Sequence, residues 1–270
     1  MQPPALIPNL TAVEIRELRF AKSLLEQPGL TARLAGALGK PIEKGFAMLP
    51  ASATALIHRA SKGALLKALG VAVSTLNAAK PRRASEQFHK LLVGASGGVG
   101  GAFGLASLPV ELPLSTTIML RSIADIARSE GHDVRSPFVR MNCLEVFALG
   151  SRSSEDDAAE SSYWVVRAAL AKAVSEAATY IAEKGIIEET APAILRLVTA
   201  IASRFGLVVS EQAAAKAVPL LGAAGGALIN VLFMNHFQDM ARGHFIIKRL
   251  EARYGVALVR DLYISIALRA

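Results

Sequence analysis

Apolar residues run along this chain without strict alternation, and where polar residues interrupt them they return at three- and four-residue intervals, the period of a helix. Residues 11–27 illustrate the pattern. Thr11 followed by Glu14 makes a capping box, Ile15, Leu18, Lys22 and Leu25 continue at helical spacing, and Pro28-Gly29 stops the run. A second amphipathic stretch, 52–76, sets Leu56, Leu65, Leu66 and Leu69 against Arg59, Lys62 and Lys67. Further breaks are expected at 79–83, where Pro81 and the flanking charges read as a linker, and at 131–137, 150–160, 184–185 and 205–206. The intervening pieces have helix length. The pattern predicts an all-α protein, a single multi-helix bundle, with few or no strands.

Two segments stand apart. Residues 91–110 carry no charge and include six glycines, which form three small-xxx-small pairs: Gly94 with Gly98, Gly97 with Gly101 and Gly100 with Gly104. Residues 217–234 are likewise uncharged and repeat the spacing with Gly222 and Gly226. Such glycines let two helices approach closely, each at about 0.5–1 kcal/mol of helix stability relative to Ala. We expect two central, glycine-zipper-like apolar helices. Each segment has a proline nearby and is followed by a helical stretch carrying Asp and Arg (residues 122–128 and 237–242), a weak internal resemblance. A membrane-inserted hairpin is the alternative to a close-packed core. Pro109, Pro113, Glu111 and Asn230 interrupt the apolar runs and favour a buried core or a peripheral association over a span.

Composition sharpens this reading. Hydrophobic residues make up 52% of the 270 and charged residues only 19%, with a mean hydropathy of +0.39, so much apolar surface must be covered by the protein, a partner or lipid. The net charge of +8 is uneven. Between positions 44 and 110 there are eight Lys or Arg against one acid, whereas from Glu111 onward there are seventeen of each sign. That asymmetry suits an anionic membrane surface, met through Arg59, Lys62, Lys67, Arg82 and Arg83; a solvated basic face on an ordinary surface helix packed on the core is the alternative of at least equal weight. Nucleic acid is a poorer fit, because no aromatics interleave with the basic residues. One cysteine, Cys143, in apolar surroundings and no secretory pattern at the N-terminus place the expected location in the cytoplasm or at the inner face of the cell membrane.

The glycine-rich run fails both phosphate-binding patterns: Phe103 stands where a dinucleotide loop needs glycine, and no Gly-Lys-Ser/Thr follows. Serine-hydrolase elbows, zinc-protease helices, Cys-x-x-Cys pairs and calcium loops are likewise missing from the sequence. No cofactor is expected. The densest polar cluster is 235–245, where Asn235, Asp239 and Arg242 share a helical stripe and His236 and His244 lie about 80° apart around the axis. An Asp–Arg network that fixes helix register is the preferred reading. A metal or acid–base site, completed by Glu111 or Glu145, is the alternative. Both glutamates sit among apolar residues, where burial raises a carboxyl pKa unless a cation such as Arg121 or Arg140 pairs with it.

Residues 104–133, 143–150, 204–230 and 236–255, in that order, resemble the EcsC family. The resemblance runs from near Phe88 onward, about two thirds of the chain, and suggests an N-terminal helical region (1–83), basic toward its end, ahead of an EcsC-like helical domain (84–270). It implies a bacterial protein of a family named from a gene beside an ABC transporter operon, with no catalytic positions to carry over. The matching polar residues are Glu111, Arg121, Asp125, Glu145, Arg204, Asn230, His236, Asp239, Arg242 and His244. They are candidates for a shared site or a shared core network. The expected function is that of a non-enzymatic accessory protein, peripheral to a membrane or linked to a transport system. A helical metal-dependent or hydrolytic enzyme with a carboxylate–histidine site is the competing class.

Overall fold

The computed structural model describes residues 10–26, 30–38, 49, 52–75, 90, 108–150, 162–185, 188–216 and 222–267. These residues form nine helices and no strand: α1 (Ala12–Leu25), α2 (Leu30–Leu38), α3 (Ala53–Thr75), α4 (Leu108–Ser129), α5 (Pro137–Leu149), α6 (Ser162–Lys184), α7 (Pro192–Lys216), α8 (Gly222–Tyr254) and α9 (Val256–Ser265). The chain is an all-α bundle. Most of the first glycine-rich segment (91–107), the start of the second (217–221), the 79–83 stretch and Arg82 and Arg83 lie outside the described residues.

Helix α8 is the axis of the bundle. At 33 residues it is about 50 Å long, and α1, α2, α4, α5, α7 and α9 all pack against it. Its inward stripe explains this: Phe233, Phe237, Met240, Ala241, Phe245 and Ile247 recur at helical spacing and are all buried. Phe233 and Phe237 stack with Phe147 of α5 and Phe205 of α7, with ring centroids 5.1–6.2 Å apart. The edge-to-face and tilted geometries are those aromatic quadrupoles prefer.

Several boundaries follow from local chemistry. The Thr11 hydroxyl accepts from the Glu14 backbone N–H, and the Glu14 carboxylate accepts from the Thr11 N–H, the reciprocal cap expected at the start of α1. Hydrogen bonds from Thr11 and Tyr254, aided by Arg253, hold the Glu14 carboxyl down at about 2. Gly131 and Gly185, with φ of +88° and +68°, follow the ends of α4 and α6, where only glycine takes the left-handed conformation without strain. The break expected at 205–206 does not occur. Helix α7 runs through it because Ile201, Ala202, Phe205, Val208 and Val209 form one continuous buried face, and that packing outweighs the weak propensity of Gly206.

The N-terminal helices pack on this body. α1 lies along α8, α2 against α7 and α8, and α3 against α4 and α7. At one crossing the backbones come close: a Cβ on Gly243 of α8 would lie 2.7 Å from Leu25 Cγ and 3.0 Å from the Ala21 carbonyl oxygen of α1. Lys22, expected only as part of a helical face, reaches the C-terminal end of α9 and donates to the carbonyls of Tyr263 (2.8 Å) and Ile266 (2.7 Å). A cation at that pole also complements the helix dipole.

Candidate functional site

The polar residues expected to act together are distributed over separate places in the bundle. Glu111, near the start of α4, is buried and accepts from Lys216 of α7 and from Asn230 Nδ2 of α8 at 2.9 Å. Gln212 Nε2 completes the group by donating to Asn230 Oδ1 at 2.8 Å. Burial pulls the Lys216 ammonium below its usual range, and the Glu111 charge opposes that shift. The cation beside Glu111 is therefore Lys216, rather than the Arg121 or Arg140 the sequence suggested. Arg121 is exposed, and Arg140 donates to the Val134 carbonyl at 2.9 Å.

The cluster in the middle of α8 also separates. His236 is buried with Nε2 2.8 Å from the Gly150 carbonyl oxygen, and desolvation pushes its pKa down to about 4, so it is neutral at physiological pH. Asp239 pairs with Arg33 of α2 at 2.8 Å, and Arg242 faces Glu130 at 3.8 Å. These ion pairs run between helices, so Asp239 and Arg242 serve different neighbours despite sharing a stripe. Asp125 pairs with Arg128 within α4 at 2.6 Å, and Arg204 is half-buried on α7. The two weakly similar Asp/Arg stretches do meet, since Gln238 Nε2 donates to Ser122 Oγ at 2.8 Å. Among the described residues no group of three His, Cys, Asp or Glu side chains could hold a metal ion. The Cys143 thiol is fully buried and pushed up to about 12 by desolvation.

Glu145 belongs elsewhere, lining a cleft of about 880 Å³ walled by α5, α6, α8 and α9, with the buried His244 next to it. The arrangement begins with Arg167 of α6. It makes a bidentate pair with Glu251 of α8, at 2.7 and 2.9 Å, and donates to the Tyr163 hydroxyl at 3.1 Å. With Arg167 as donor, the Tyr163 O–H is free to donate to His244 Nδ1, 3.1 Å away. That places the imidazole proton on Nε2, facing Glu145 Oε2 at 3.6 Å. This distance exceeds a hydrogen bond, and His244 Nε2 is buried with no partner. Burial, together with the charges of Arg167 and Lys248, holds the His244 pKa well below its usual range. Burial raises the Glu145 carboxyl to about 7, against the pull of Lys248 and Arg167.

The rest of the cleft divides into cations and apolar walls. Lys248 and Arg260 line it beside Glu145 and Arg167. Phe138, Val165 and Val256, which are 47%, 44% and 55% exposed, line it with Trp164 and Val174. Ala168, Ala171 and Ser175 of α6 line it with small side chains. Tyr163, Arg167, Lys248 and Glu251 were not among the sequence-derived candidates. One signal for two of them was present: His244, Lys248 and Glu251 extend a single stripe on α8 at i, i+4 and i+7.

A third feature is the outer face of α3. Ala53, Ile57, Ala64, Leu65, Ala68 and Leu69 are buried against the bundle, while His58, Arg59 and Lys67 are exposed and Lys62 is half-exposed. The helix has no Asp or Glu, so nothing along it balances this charge. Among the described residues α7 is the one helix long and apolar enough to cross a membrane, but half of its most apolar stretch is buried inside the protein.

Fold and site together define a class: an all-α bundle with a single long axial helix, an amphipathic cleft and a basic outer helix. The EcsC protein family model matches residues 13–250, and the chain belongs to that family. The match begins at α1, well before Phe88, so it takes in the N-terminal helices as well as the region where the motifs were recognisable. No curated protein and no solved structure matches the chain.

Proposed function

We propose that this EcsC-family protein is a non-catalytic accessory protein that rests peripherally on the inner face of a membrane, alongside a membrane transport system. The observation that carries the reading is the outer face of α3, which bears Arg59, Lys62 and Lys67 with no acidic residue on the helix. Each basic side chain at an anionic surface contributes about 1 kcal/mol, so these three support weak, reversible and salt-sensitive adsorption. Val110 and Leu114 of α4, 80% and 52% exposed on the helix packed beside α3, add apolar area on a neighbouring element. The distribution of Glu111, Glu145, Asp239 and His236 over separate clusters supports a structural role for most of them.

Co-sedimentation with phosphatidylglycerol-containing vesicles tests the proposal. Binding is expected to exceed that to pure phosphatidylcholine, to be released by high salt, and to be lost in the Arg59→Glu/Lys62→Glu/Lys67→Glu variant. Equal binding to neutral vesicles, or resistance to both salt and carbonate washing, would overturn it.

A further inference from the structure

The cleft is independent of the α3 face and carries its own chemistry. Three of the most exposed large apolar side chains in the described structure, Phe138, Val165 and Val256, gather at it. Clustered apolar exposure on a soluble surface marks a contact site. The volume of about 880 Å³ lies in the range of small-molecule pockets. Against these walls stands an asymmetric set of charges. Arg167 is neutralised by its bidentate pair with Glu251, whereas Lys248 and Arg260 have no hydrogen bond or ion pair among the described residues. The Glu145 carboxyl lines the same cleft, 98% buried by its 2% exposure, and the unpartnered N–H of His244 lies behind it.

We infer that this cleft binds an amphipathic monoanion, a carboxylate-headed molecule with an extended apolar body, whose head lies between Lys248, Arg260 and the Glu145 carboxyl while its body covers Phe138, Trp164, Val165 and Val256. A carboxylate is favoured over a phosphate because it can share one proton with Glu145 in a charge-assisted hydrogen bond, whereas a dianion would stand beside that carboxyl with only two unpaired cations to hold it. A cationic head is disfavoured by the same two cations. Proton sharing makes binding pH-dependent. The charged and titratable groups around Glu145 are His244, Lys248 and Glu251 from α8 and Tyr163 and Arg167 from α6, with Arg260 of α9 lining the same cleft; burial raises the Glu145 carboxyl itself to about 7.

Trp164 is the chain's only tryptophan and lines the cleft, so its fluorescence reports occupancy directly. Titration with decanoate below its micellar concentration is expected to give a saturable change. Lys248→Met and Arg260→Ser should each weaken it, together by about tenfold or more. Arg260 is exposed, so its variant carries little risk to folding, and circular dichroism checks both. Affinity should fall on going from about pH 6 to about pH 8.5 in the parent and stay flat in Glu145→Gln. A non-saturating response, equal affinity for decyltrimethylammonium, or unchanged affinity in the double variant would overturn the site. Tighter binding of decyl phosphate would overturn the carboxylate assignment. Because none of these variants touches α3, vesicle adsorption and decanoate binding can fail separately.

Discussion

Gly243→Ala and Gly63→Ala make the same chemical change in two helices and are expected to move stability in opposite directions. Gly63 is exposed on α3 and a Cβ there would have nothing within 4 Å. The substitution should therefore express helix propensity alone and stabilise by about 0.5–1 kcal/mol. At Gly243 the same gain is opposed by contact. The added methyl would lie 2.7 Å from Leu25 Cγ, 3.2 Å from Leu25 Cδ1 and 3.0 Å from the Ala21 carbonyl oxygen. Carbon atoms pack best at about 3.5–4.0 Å, so the overlap is close to 1 Å on the Leu25 side chain, with a further tight contact at the Ala21 backbone oxygen. Overpacking of that kind costs about 1–3 kcal/mol, leaving Gly243→Ala destabilised by about 0.5–2 kcal/mol after the propensity gain. In urea melts the midpoint should fall for Gly243→Ala and rise for Gly63→Ala, with thermal midpoints moving by about 2–4 °C per kcal/mol. A stability for Gly243→Ala equal to or above that of Gly63→Ala would refute the claim that α1 and α8 touch through that glycine.

The remaining predictions concern the buried polar groups. His236, neutral in the fold with its pKa at about 4, binds fewer protons than in the unfolded chain between that value and about 6.5. Stability should consequently fall as pH drops through that window, by about 3 kcal/mol for this group, with His132 and His244 shifted in the same direction; urea melts from pH 7 to 4 measure it. Glu145 works the other way. Its raised pKa favours the fold at low pH and loses that contribution between about 4.5 and about 7, so Glu145→Gln should gain relative to the parent as pH rises, by up to about 3 kcal/mol. Arg167→Met leaves Glu251 buried without its cation and should cost about 3–5 kcal/mol in denaturant melts, whereas Arg167→Met/Glu251→Leu should recover much of it. Gly150→Ala would drive a methyl into His236 Nε2 and displace its hydrogen bond, destabilising by about 2 kcal/mol; His236→Ala in the same chain should recover part of the loss.

Local features were the most readable from the sequence. Thr11 and Glu14 are three residues apart and cap α1 whatever the rest of the chain does, and Gly131 and Gly185 stop their helices by backbone geometry alone. Gly206 misled because its fate depends on the buried face around it, a tertiary property. The candidate site followed the same division. His244 and Glu145 were recognisable as chemistry in apolar surroundings, but their setting depends on Tyr163 and Arg167 on α6, roughly 80 residues from their α8 partners in sequence. Glu111 likewise found Lys216 across 105 positions, and no local spacing announces such a pair. Spacing on one helix predicts which side chains share a stripe. It does not predict which neighbour each will meet, as Asp239 with Arg33 and Arg242 with Glu130 demonstrate.

The orientation of the protein on a membrane is the central functional claim, and spin labels test it most directly. Cys143 is fully buried, so a nitroxide can be attached selectively at Gly63→Cys on the outer face of α3 or at Lys172→Cys, 90% exposed on α6. On anionic vesicles the label at position 63 should lose collisions with a water-soluble paramagnetic chelate while the label at 172 keeps them, and both should be unchanged with neutral vesicles. Equal accessibility at the two positions, or protection at 172 rather than 63, would contradict the account.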